Sequence, residues 1–315
     1  MEGFLKLLTY VSGVLFLVFF ARKLLKYWMM PMHVRWELYP IPHEGKDYGG
    51  SFYEDVDHWK KERHKDHFAQ YRFMIPEILF IRALHEDNRP LWYWSMPFHM
   101  GLYLCIGGLA CLAVGAVFEG FLGLKPDASA LASLVQALAQ ILGVVGFVLG
   151  TIGAIGLIIK RMTDPMLTDF TVGTDYLNLI WLGAIFVTGF LVWLSDPRFV
   201  ISQQFLMSLI TFKAMPQEMA AKMTGIHVVN LLLFLSFWVY FPFTYMTHMV
   251  SKYFMWDKVK WDDDPNVGDP TIDAKIKEYL GYRPTWAASH VGAEGGTKTW
   301  AEVATTNPWA QQTEK

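Results

Sequence analysis

Apolar residues along the chain are grouped into five long blocks, and most of the charged residues lie between the blocks. A helix needs about 20 apolar residues to cross a bilayer. The blocks are Phe4–Ala21, Ser95–Gly120, Ser133–Ile159, Tyr176–Leu194 and Ile226–Val250. The pattern predicts an all-α membrane protein, a bundle of five transmembrane helices.

The flanks of the first block predict the topology. This block lacks the basic start and the small-residue cleavage site of a signal peptide, and Arg22, Lys23 and Lys26 follow it as a stop-transfer flank. We therefore expect a retained helix, with the N-terminus outside and the C-terminus in the cytoplasm. All but five of the 27 Lys and Arg residues then face the cytoplasm, as the positive-inside rule predicts. The expected location is the bacterial cytoplasmic (inner) membrane, with several passes.

The spacing of the blocks suggests how the chain is organised. Residues 1–255 form the membrane domain, which includes a cytoplasmic segment, 24–94, between the first two helices. Residues 256–315 form an extended cytoplasmic tail that lies on a partner. Between the fourth and fifth spans, "FLMSLITFKAM" predicts a short helix on the membrane surface. The net charge of -2 gives no indication of a nucleic-acid partner.

The cysteines and the charged histidine tract indicate no metal centre of their own. Cys105 and Cys111 lie in the second block, where free cysteines pack as small apolar residues. The chain has neither a c-type haem motif nor a cysteine cluster for an iron–sulfur centre. His58, His64 and His67 alternate with charged residues, which is typical of a solvated helix.

Two histidines near the cytoplasmic ends of spans are candidate ligands of a haem b iron. Ionisable groups within membrane segments are usually functional. His99 lies roughly 12 Å from the centre of the second span and His248 roughly 15 Å from the centre of the fifth. The two spans are antiparallel, so both imidazoles reach one level, as an iron held between facing helices requires. The alternative is two unrelated histidines near the lipid headgroups.

Small and basic residues near His99 fit a haem without requiring one. Gly101, Gly107 and Gly108 allow the close approach of a ring, but equally that of another helix. Candidate cations for the haem propionates are Lys160, Arg161 and Lys252.

The third span histidine, His227, lies about 16 Å towards the outside of the fifth span. A second haem at that level needs a ligand near residues 115–120, where the sequence has Glu119 and no histidine. A His227–Glu119 pair would exchange protons with a quinol such as menaquinol. The alternative is a capping histidine at the start of a helix.

Three stretches resemble one family, the cytochrome b gamma subunit of respiratory nitrate reductase. They are "SMPFHMGLYLCIGG", "KRMTDPMLTDFTVGTDYLNLIWL" and "GIHVVNLLLFLSFWVYFPFTYMTHM", within residues 90–255. The resemblance implies five membrane helices, with His99 and His248 as inner-haem ligands and His227 as an outer-haem ligand. The family's second histidine on the second helix falls on Leu109 here, which leaves the outer haem without that ligand.

The inner segment and the "TWAEVATTNP" tail are more similar to the cytochrome b subunits of the Tmc, Hmc and Dsr complexes of sulfate reducers. That resemblance implies an electron-transfer subunit in anaerobic respiration, in contact with other membrane subunits. Its redox partners would be the menaquinone pool or a periplasmic multihaem cytochrome c, and a cytoplasmic iron–sulfur subunit like heterodisulfide reductase. The alternatives are a proton-coupled transporter, against which the lack of an internal repeat argues, and a haem-free structural anchor.

Overall fold

The computed structural model describes residues 1–29, 56–57, 60–61, 67–254, 270–284 and 296–306. All regular elements in these residues are helical. The chain divides into two compact units. The first consists of Met1–Phe20 and Ile75–Met246, and the second of Ala21–Met74 and Thr247–Lys315.

The long apolar helices of the described residues follow the hydrophobic blocks, and shorter helices lie between and after them. In chain order, the helices are α1 Glu2–Trp28, α2 His67–Phe80, α3 Arg82–Asp87, α4 Arg89–Leu122, α5 Ala130–Thr163, α6 Pro165–Thr168, α7 Gly173–Ser195, α8 Val200–Thr211, α9 Gln217–Lys222, α10 Gly225–Tyr240, α11 His248–Lys252, α12 Pro270–Leu280 and α13 Trp300–Thr305. Five are long and apolar enough to cross a membrane: α1, α4, α5, α7 and α10 with the turn that follows it. The predicted number of spans is confirmed.

Within the first unit, α4 packs against α5 along a row of glycines. A Cβ on Gly101 of α4 would lie 2.4 Å from the Cα of Gly150, and one on Gly153 would lie 2.3 Å from the backbone nitrogen of Phe98. The backbones are therefore in direct contact, as membrane helices with small residues allow. Gly108 also faces α5, whereas the Cβ position of Gly107 meets only a leucine methyl group at 3.4 Å. For Gly101 and Gly108, helix packing is the role that the structure supports.

The rest of the bundle is built outward from this pair. Packing continues from α5 to α7 and from α7 to α10. Phe98, Phe186 and Phe237 form part of one buried cluster that joins these helices. The amide of Asn230 on α10 donates to the carbonyl of Ile185 at 3.0 Å, which adds a polar contact between α10 and α7.

The short helix predicted on the membrane surface is α8, and it is more buried than a helix in contact with lipid alone would be. Its apolar residues, including Ile201 and Phe205, pack with Leu5 of α1 and with Val228 and Leu231 of α10. Its buried glutamines face α4 instead. Helix α8 therefore packs against the bundle, and its place at the membrane surface stays a prediction.

The fifth span is shorter than its hydrophobic block. The α-helix ends at Tyr240, and two 3₁₀ turns follow, Phe241–Phe243 and Tyr245–Thr247. Pro242 has no backbone N–H to continue the helical ladder, and Thr244 between the turns has an extended backbone. His248 therefore begins a separate helix, α11. The position of His248 relative to His227 therefore cannot be calculated from the rise and rotation of one continuous helix.

The described parts of the second unit include two helices in the predicted tail, α12 and α13, where an extended chain was expected. The backbone N–H of Trp300 donates to the carbonyl of Tyr282 at 2.9 Å, and Thr299 and Glu302 cap α13. The rest of the tail and residues 30–55, 58–59 and 62–66 of segment 24–94, with His58 and His64, lie outside the described residues.

Replacement of Gly101 by alanine tests the contact between α4 and α5. The added methyl group meets backbone atoms that cannot move independently, so we expect a loss of about 1–3 kcal/mol in folding free energy. Gly107→Ala on the same helix is the control, because its Cβ position has room. Thermal unfolding in detergent measures both, and equal stability of the two variants would contradict the glycine contact.

Candidate functional site

His99 lies in the first third of α4, half-buried, and the contacts of α4 orient its ring. Phe98 and Gly101 point to the α5 side, and since successive helical residues are about 100° apart, His99 points elsewhere. Its Nδ1 lies 2.7 Å from the carbonyl oxygen of Ser95. A carbonyl can only accept, so Nδ1 carries the proton of the neutral ring and Nε2 has the lone pair. This is the tautomer that binds a metal through Nε2.

Two aromatic residues on the same face of α4 connect His99 to the end of α2. Tyr103, one turn after His99, donates from its hydroxyl to the carbonyl of Ile78 at 2.7 Å. Trp92 donates from its indole nitrogen to the carbonyl of Phe80, also at 2.7 Å. The last turn of α2 is therefore part of the surroundings of His99. Trp92 lies seven residues before His99 and Tyr103 four residues after it. This helical spacing was the indication in the sequence that the three side chains share one face of α4.

His248, the predicted second ligand, is the exposed first residue of α11 and belongs to the second unit. Its pairing with His99 stays a prediction. Among the described residues, no three His, Cys, Asp or Glu side chains form a metal cluster. A haem iron requires only two protein ligands, so this finding does not bear on the pair.

A polar cluster lies at the end of the first unit that carries His99, called here the His99 end. Asp175 accepts from the backbone N–H of Val172 at 2.9 Å and from the hydroxyl of Tyr245. Arg161 Nη1 lies 3.7 Å from Asp175 Oδ2, the oxygen that accepts from Val172. Asn178, one turn after Asp175, is 3% exposed, and within the described part of the chain neither of its amide atoms has a hydrogen-bond partner.

Two of the cations proposed for the haem propionates, Lys160 and Arg161, form ion pairs within the chain. Lys160 pairs with Asp164 at 2.7 Å, and the hydrogen bond from Lys160 lowers the pKa of that carboxyl. Arg161 Nε, however, is buried without a partner in the described structure, like the Asn178 amide. Two unpaired donors at the His99 end fit the carboxylate oxygens of a propionate. The side chain of Lys252 lies outside the described part of the chain.

At the opposite end of the unit, called here the His227 end, the two residues predicted to exchange protons have separate partners. Glu119 accepts from the side-chain amides of Gln203 at 3.2 Å and Gln204 at 2.9 Å. His227 is buried, and its Nδ1 accepts from the backbone N–H of Thr224 at 3.3 Å. The structure shows no hydrogen bond between Glu119 and His227, both of which it describes. The His227 Nε2 is buried without a partner.

An apolar groove between α1 and α10 brings none of the predicted site residues together. Its lining consists of Leu8, Ser12, Val229, Leu232, Leu233, Leu235, Ser236 and Val239. With no ionisable side chain, it offers no ligand to a haem iron.

A comparison with protein-family models decides the family. The model of the nitrate reductase gamma subunit matches residues 83–260, more than half of the chain. The chain belongs to this family. The matched range contains His99, His227 and His248, and it leaves out α1 and α2. Searches of curated proteins and of solved structures found no match.

Family membership, with five apolar helices, makes this gamma-family chain a multi-pass membrane protein of the bacterial inner membrane. The family is one of haem b-binding cytochromes, which are membrane subunits of larger redox complexes. The chain is accordingly an electron-transfer subunit of the cytochrome b type.

Replacement of Asp175 by alanine tests the polar cluster at the His99 end of this gamma-family chain. The change removes the acceptor for Val172, Tyr245 and Arg161, so we expect a loss of about 1–3 kcal/mol in folding free energy. Asp169→Ala is the control, because Asp169 is an exposed residue in the preceding turn and its loss costs at most about 0.5 kcal/mol. Thermal unfolding in detergent compares the two, and an unchanged Asp175 variant would contradict the role of the cluster.

Proposed function

We propose that this gamma-family subunit binds a haem b between His99 and His248 and relays electrons through it. The observation that carries the proposal is the hydrogen bond from His99 Nδ1 to the Ser95 carbonyl. It selects the tautomer and fixes the ring angle that an axial ligand needs. When bound, the haem supplies one-electron transfer.

The residues around His99 have separate tasks in this proposal. Ser95 holds the imidazole through its carbonyl, and His248 supplies the opposite ligand. Arg161 and Asn178, whose buried donors have no partner in the described structure, hold a propionate. Tyr103 and Trp92 keep the end of α2 beside the site and exclude lipid and water from it.

The proposed partners follow from the charge distribution and from the resemblance of the tail and inner segment. With the N-terminus outside, the His99 end faces the cytoplasm, where an iron–sulfur subunit like heterodisulfide reductase would dock. Menaquinone or a periplasmic multihaem cytochrome c is the other redox partner. In this proposal, the whole complex resembles the Tmc, Hmc and Dsr complexes of sulfate reducers.

The His227 end is proposed as a place of proton exchange with a quinol. Support comes from His227 Nε2, which is buried and has no partner in the described structure. A neutral imidazole whose Nδ1 accepts has its proton on Nε2, and this N–H can donate a hydrogen bond to a quinone oxygen. Glu119 lies at the same end of the unit, held by two glutamines.

Alanine replacement of His99, and separately of His248, tests the haem site. We expect each variant to lose the b-type alpha band in a reduced-minus-oxidised spectrum, because six-coordinate iron needs both imidazoles. His85→Ala is the control, since His85 of α3 packs against Trp92 at a ring distance of 4.8 Å and is not a proposed ligand. A wild-type protein that is folded and colourless would favour the transporter or the structural anchor instead.

Removal of residues 262–315 tests the tail as a docking surface. We expect the truncated protein to keep its haem spectrum and to lose the iron–sulfur subunit when the complex is purified through the membrane subunit. The full-length chain, purified in parallel, shows the intact complex. Retention of the iron–sulfur subunit by the truncated chain would refute docking through the tail.

A further inference from the structure

A second haem at the His227 end would need two things from this chain. One is a slot between α4 and α10, since a ring with an axial ligand on each face separates the helices that supply them. The other is a ligand nitrogen with a lone pair directed into that slot. Both requirements can be examined in the first unit.

Helix α8 occupies the space beside the outer part of α4. A Cβ on Gly115 would lie 2.9 Å from the side-chain oxygen of Gln203, and one on Gly120 would lie 2.8 Å from a methyl carbon of Thr211. Between these glycines, Ala116 is fully buried. The inward side of residues 115–120 is therefore in contact with α8 and has no room for a porphyrin.

The apolar residues of α8 belong to a cluster that reaches the start of α10. Ile201 and Phe205 pack in one cluster with Val228 and Leu231, which directly follow His227 on α10. Helix α8 thus packs along α4 and shares an apolar cluster with the first turns of α10, on the side where the ring would have to lie. The hydrogen bonds from Gln203 and Gln204 to Glu119 keep it in place.

The nitrogen atoms of His227 are arranged differently from those of His99. The backbone N–H of Thr224 donates to His227 Nδ1, and the Thr224 hydroxyl lies 2.8 Å from the same atom. The proton of the neutral ring is therefore on Nε2, the nitrogen that would have to bind iron. Leu109, 39% exposed and apolar, supplies no alternative ligand on α4.

From these contacts we propose that the chain binds one haem, and that helix α8 with the Glu119–Gln203–Gln204 cluster takes the place of a second. The inference rests on the proposed function, because it presumes the haem at His99. His227 then caps α10 and ligates no iron.

The test is the ratio of haem to protein in the purified full-length chain, with haem from the pyridine haemochrome and protein from amino-acid analysis. We expect a ratio of one. His227→Asn, which keeps an acceptor for Thr224, and His227→Ala should leave both the ratio and the alpha band unchanged. His99→Ala should reduce the ratio to zero.

A wild-type ratio of two, or a ratio halved in a folded His227 variant, would overturn the single-haem inference and leave the proposed function standing. A wild-type ratio of zero in folded protein would refute the proposed function itself. The two failures are thus distinguishable in one series of measurements.

Discussion

In a bilayer, apolar side chains gain little by leaving lipid for another helix, so membrane spans associate through close packing and hydrogen bonds. The contact of α4 and α5 at Gly101 and Gly153 meets this constraint in the first unit. Because this contact determines the rotation of α4, it sends Phe98 towards Phe186 and His99 to another side. The orientation of the candidate iron ligand is therefore a consequence of helix packing.

The low polarity of the bilayer also means that a buried polar atom without a partner needs an explanation. Buried polar groups almost always find partners, and Asp196 and Asp175 do so at helix starts. The exceptions in the described residues are Arg161 Nε and the Asn178 amide at the His99 end, and His227 Nε2 at the other end. Unpaired donors at two ends of a bundle are places for ligands, and only the His99 end also has a histidine in the metal-binding tautomer.

The five spans could be predicted from the sequence because a membrane segment needs only length and apolar composition. The end of α10 was harder to predict. Apolar residues continue past Pro242, and hydropathy does not detect the loss of one backbone donor. The burial of α8 was missed because its partner Glu119 lies 84 residues before Gln203 in the chain. For the same reason, the sequence could not show whether Gly101 contacts a haem ring or another helix.

The proposed single haem at the His99 end would restrict how electrons can reach the other side of the membrane. Glu119 follows His99 by 20 residues on one helix, a rise of about 30 Å, which is nearly the thickness of the hydrocarbon core. In the single-haem proposal, α8 takes the place of a second haem, and no iron of this chain would bridge that distance. A cytochrome docked at the His227 end would be separated from the haem by this length of protein. The same length of protein would separate this haem from a quinol at the proposed His227 site, so a single haem would leave the electron path between the two ends to another redox group.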